Sequence, residues 1–89
     1  MMARKGIRST VVIIGGFRVT AQEYSISQKE WFEASGYGFK PQAMFRIRAA
    51  AYSGEDRLTT VSGQVLAIYR VYTVGDWIEL YTARRAGVS

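Results

Sequence analysis

Ile7-Arg8-Ser9-Thr10-Val11-Val12-Ile13-Ile14-Gly15-Gly16-Phe17-Arg18-Val19-Thr20-Ala21 is the stretch that decides the class of fold. Two runs rich in β-branched residues flank a Gly-Gly pair, and glycine supplies the positive φ angles that a tight hairpin turn demands. The stretch predicts one strand over Ile7–Ile14 and a second over Phe17–Ser25. A signal peptide, with Met1–Arg8 as its charged start, is set aside because the apolar run breaks at the glycines and meets Arg18. That run is also far too short to span a bilayer.

The same signature recurs downstream. Over Ala43–Tyr52 the side chains of Phe45, Ile47 and Ala49 point one way and those of Met44, Arg46 and Arg48 the other, as strand alternation requires. Turn chemistry at Tyr52–Asp56 precedes a short strand over Arg57–Val61. Ser62-Gly63 then turns the chain into Gln64–Tyr72, and Thr73–Asp76 leads into Trp77–Arg84. About six short strands at this spacing predict an all-β fold, a small antiparallel β-barrel forming one domain over residues 1–89.

One segment differs. Ser27-Gln28-Lys29-Glu30 fits a capping box, in which the Ser27 hydroxyl accepts from the Glu30 amide and the Glu30 carboxylate reaches back. Ile26 and Trp31 occupy the positions of a hydrophobic staple, and Gly36 is placed for a left-handed stop. A helix of about two turns is expected. Beyond it, Ser35-Gly36-Tyr37-Gly38-Phe39-Lys40-Pro41 holds two glycines, two aromatics and the only proline, which predicts an exposed, mobile connector. Residues 27–42 therefore read as a helix plus a long glycine-rich loop inserted into a β-meander. Long insertions in small domains are uncommon and usually functional, so this is where function is sought.

Composition narrows the chemistry. The chain has no Cys and no His, which removes disulfides, Cys/His zinc sites, thiol nucleophiles and Ser-His-Asp arrangements. The net charge of +5 suggests nucleic acid as a partner. Five of the 12 cations, however, are Arg4, Lys5, Arg8, Arg84 and Arg85, in or beside the basic N-terminal tail 1–8 and the C-terminal tail 85–89. Between the ends, cations and acids balance. The close acidic groupings, Glu55-Asp56 and Asp76 with Glu79, lack a third ligand or a basic partner and read as solvated turn residues. Gly36-Tyr37-Gly38 with Lys40 has the wrong flanking elements for a phosphate loop. Arg46 and Arg48 share a strand face, as phosphate or partner contacts or as an edge kept soluble. Arg70 reads as structural, stacked on a ring or paired with Glu79 or Glu55.

Several segments together resemble a family. Ser25-Ile26-Ser27-Gln28-Lys29-Glu30-Trp31-Phe32-Glu33-Ala34, then Gly38-Phe39-Lys40-Pro41, Tyr52-Ser53-Gly54-Glu55, Ile68-Tyr69-Arg70-Val71-Tyr72 and Ile78-Glu79-Leu80-Tyr81 are similar, in that order, to the head-closure proteins of long-tailed bacteriophages, also called stoppers or head-tail joining proteins. The likeness runs from about Phe17 to Gly87. It implies a virion protein of the neck, made in the host cytoplasm: a small barrel assembled as a homo-oligomeric ring, a dodecamer, beneath the portal and its adaptor and above the tail protein. The segment matching Ser27–Pro41 would face the channel and close it around the packaged double-stranded DNA. Ser27, Gln28, Lys29, Trp31, Phe32, Tyr37, Phe39 and Lys40 would supply the loop and subunit contacts, with Lys29 and Lys40 meeting phosphates non-specifically. No catalysis, cofactor, metal, small-molecule substrate or membrane is implied.

The sequence departs from that family in three places. Gly15-Gly16 is a shorter first connection than its members have, and Leu66 and Val71 stand where tyrosine and threonine are frequent. Glu23 falls among apolar alternation with Val19 and Ala21, so its charge calls for a cation from a neighbouring subunit. The competing function is a monomeric OB-like or SH3-like barrel holding single-stranded nucleic acid on Arg46, Arg48 and surface tyrosines. A small enzyme is the third, its acid-base work falling on isolated carboxylates.

Overall fold

The computed structural model describes residues 8–85, the last of them by its backbone alone. The tails assigned above to 1–8 and 85–89 lie outside the described residues except for Arg8 and the Arg85 backbone. Strands β1 (Arg8–Ile14) and β2 (Phe17–Tyr24) lead to helix α1 (Gln28–Ser35), then β3 (Phe39–Arg48), a 3-10 turn (Ala49–Ala51), β4 (Arg57–Thr60), β5 (Val65–Val74) and β6 (Trp77–Arg85). The strands close in the order β1-β2-β3-β6-β5-β4, every pairing antiparallel. The six-stranded antiparallel barrel expected from the sequence is the fold.

Alternation sends one face of each strand inward. Val12 and Ile14 of β1, Ala21 of β2, Phe45 and Ile47 of β3, Leu58 of β4, Leu66 of β5, and Ile78 and Leu80 of β6 meet in one buried cluster. Burying a side chain of this size is worth about 1.5–3 kcal/mol, so these few residues carry most of the driving force in a domain this small. Thr82 is the one polar core residue among those described. Its hydroxyl donates to the Ala43 carbonyl at 2.8 Å, which offsets its burial. The β1–β2 turn is as read: Gly15 and Gly16 have φ of +59° and +85°. A Cβ on Gly15 would also lie 2.9 Å from the Glu55 carboxylate, so two requirements coincide there.

The expected long loop is corrected. β3 begins at Phe39, not at Ala43, and only Gly36–Gly38 separates it from the helix. Pro41 looked like a strand breaker, but the β3–β6 register slips between Pro41 and Ala43, a bulge that leaves Gln42 over. A bulge tolerates a residue without an N–H, so proline sits inside the strand. Gly36 is not left-handed (φ −64°), and the positive φ that turns the chain belongs to Gly38 (+87°). At its other end β3 stops at Arg48. Ala49 leaves the alternation, and its amide donates to the Asp76 carbonyl at 2.9 Å. Glu23 needs no neighbouring subunit, because Arg8, its partner in the β1–β2 register, donates to it at 3.0 Å.

Candidate functional site

Helix α1 lies against β3 on the outside of the barrel. Ser27 caps it as expected, its hydroxyl accepting from the Glu30 amide at 3.2 Å. Ala34 is the buried residue of the helix, and Tyr24 and Met44, register partners on β2 and β3, are buried without belonging to the barrel core. They point outward by alternation from Phe45. The helix thus gives the outer wall a second, smaller apolar layer.

The capping box is only half formed. Tyr69 donates its hydroxyl to Glu30 Oε2 at 2.9 Å and Arg70 donates from Nη1 to Glu30 Oε1 at 2.8 Å, so the carboxylate is directed to β5. Arg70 also reaches Glu33 at 3.5 Å, so its expected pairing with Glu79 or Glu55 is replaced by two carboxylates of the helix. Burial, with the hydrogen bond to Glu30 and the repulsion of its charge, pushes the Tyr69 hydroxyl far above its usual 10.0. Burial acts to lower Arg70, but Glu30, Tyr72 and Glu33 together outweigh it and the net shift is upward. Charge-assisted bonds of this length are the strong kind.

These contacts overturn the expectation of a mobile arm. Phe39 is a member of β3, its ring stacked on Tyr69 at 5.1 Å with 19° between planes, and it leaves the set of exposed contact residues. Lys40 is in the same strand opposite Arg84 and exposed. Ser27, Gln28 and Lys29 are exposed at the start of the helix. Trp31 is 45% exposed, Phe32 62% and Tyr37 79%. Trp31 and Phe32 meet edge to face at 5.6 Å. Phe32, Glu33, Gly36, Tyr37 and Arg70 line an open recess of about 660 Å³. The aromatics are therefore displayed outward on an ordered support.

Arg46 and Arg48 do share the outer face of β3, each over the Trp77 ring, at 5.6 and 4.5 Å. Arg46 Nε is 3.9 Å from Glu79, beyond hydrogen-bonding reach, and is buried with no acceptor among the described residues. Sequence reasoning missed the bridge from Tyr69 and Arg70 to Glu30. The partners lie 39 and 40 residues apart, and the β5–β6 register shifts between Ile68 and Arg70, so simple alternation misplaces both side chains.

Compared with known proteins, the chain matches no family model, no curated sequence and no solved structure. Among the described residues no cluster of three or more acidic side chains is arranged to hold a metal ion, and no helix is long and apolar enough to cross a membrane.

Proposed function

We propose that the protein is a structural component of a phage head-to-tail connector, forming a ring below the portal that closes the DNA exit and offers a surface to the tail. The observation that carries the reading is the display of Trp31 and Phe32 on a helix fastened to a closed barrel and of Tyr37 on the turn after it, with Lys29 and Lys40 exposed on the same segment. Exposed aromatic rings with a polar surround suit a contact that identical neighbours complete. In this reading the closing element is a rigid helix and turn. Ordering costs are then met on folding, which favours association. The lysines meet DNA through phosphates, without sequence preference.

The test is to mix the protein with DNA-filled, tailless capsids and image the portal vertex. A ring of density at the vertex with the genome retained is the expected result, and Trp31→Ser with Phe32→Ser and Tyr37→Ser should abolish both. Capsids that acquire no density overturn the proposal.

A second reading has one observation in its favour, the pair of guanidinium groups over Trp77 with Arg46 Nε lacking an acceptor. It makes the barrel a monomeric binder of single-stranded nucleic acid. Tight, salt-sensitive oligonucleotide binding that Arg46→Ala with Arg48→Ala abolishes would select it over the connector.

A further inference from the structure

Strand β5 is ten residues long, but only its first part has neighbours on both sides. β4 pairs with Val65–Ala67, and the Ile68 amide donates to the Asp56 carbonyl at 2.9 Å. From Tyr69 to Val74, β6 continues on one side and no described strand pairs on the other. Among the described residues the outer backbone groups of that edge therefore have no strand partner.

Beyond Tyr69 and Arg70, which the helix holds, both side-chain faces are open from Val71 to Val74. Val71 and Thr73 stand in register with the core residues Leu80 and Ile78, yet both are exposed, Val71 at 38%. On the outer face Tyr72 is 46% and Val74 44% exposed. Free edges normally carry a lysine, a proline or an inward charge that discourages pairing with another chain. Tyr69-Arg70-Val71-Tyr72-Thr73-Val74 has none of these.

We infer that the β5 edge over Tyr69–Val74 pairs with the same edge of a second copy of this chain, antiparallel, about a two-fold axis at Tyr72. Antiparallel partners point their side chains to the same face, so a two-fold pairing joins residues of equal parity. Tyr72 then stands opposite itself, Val71 opposite Thr73, and Arg70 opposite Val74. Aromatic and β-branched cross-strand pairs are the favourable ones. The charge pattern selects a second copy as the occupant. Arg70 is the only charge on the edge and is already paired with Glu30 and Glu33 of its own helix, so two identical edges meet without like charges opposed. The pairing concerns the free protein and stands whether or not a ring forms.

Sedimentation velocity over a concentration series tests it. The expected result is a monomer–dimer equilibrium that weakens roughly tenfold or more in Tyr72→Lys and in Tyr72→Glu, since each puts a like charge opposite itself at the axis. An equimolar mixture of the two variants should recover the dimer, which shows that both are folded. Amide hydrogen exchange in Tyr69–Val74 should slow with protein concentration. A protein that stays monomeric at all attainable concentrations overturns the inference. So does a dimer indifferent to both variants, or protection of these amides only when a different protein is added.

Discussion

Glu30 shows how one side chain ties a helix to a barrel. Its two oxygens accept from residues on β5 while its backbone amide serves the Ser27 cap, so one residue fixes both the start of α1 and its seat. Glu30→Gln keeps the shape but removes the charge opposite Arg70, and should lower stability by about 1–2 kcal/mol in urea unfolding, discounted because both groups retain some contact with water. Tyr69 adds a pH dependence. Its folded pKa is raised above 10.0, so the folded state holds this proton more tightly than the unfolded chain does. The stabilisation is complete below pH 10 and falls as pH rises beyond it. Tyr69→Phe should therefore show a shallower loss of stability above pH 10 in the same assay. At this scale the sequence was legible where partners are local and opaque where they are not. The Ser27 cap could be read, whereas the partners of Glu30 and Glu23 depend on strand register.

Among the elements, α1 is a short helix whose stability comes from its cap and its underside. Ser27→Ala removes the hydroxyl acceptor and should cost about 1 kcal/mol, visible as faster amide exchange in the first turn. The outward side behaves differently. Trp31→Ser, Phe32→Ser and Tyr37→Ser alter exposed positions and should each change stability by only about 0.5 kcal/mol, while the triple variant loses whatever the rings bind. Strand number was legible because short β-branched and aromatic runs alternate with turn residues, as Phe45 and Ile47 against Arg46 and Arg48 show. The start of β3 was not. Pro41 and two glycines look like a loop to any local rule, and only the pairing with β6 shows that a bulge absorbs the proline.

For the whole molecule, closure is the weakest part of the design. Seven residue pairs join β1 to β2, but β1 meets β4 only through Val12↔Thr60 and Ile13↔Thr59, and β2 meets β3 through three pairs. Leu58, the core residue of four-residue β4, closes that seam from within. Leu58→Ala should cost about 2–5 kcal/mol, and native-state hydrogen exchange should find the β1–β4 bonds released ahead of those joining β3, β6 and β5. None of this was legible locally, since which strands close a barrel is decided by contacts across the whole chain.

That uneven stitching has a mechanical consequence. A pull on β1 loads two short zippers while the long β3–β6–β5 ladder bears almost nothing. The first hairpin would peel away as a flap at low force, and the helix with its outward rings would stay on the remaining four strands, ready for the flap to snap back when the tension drops.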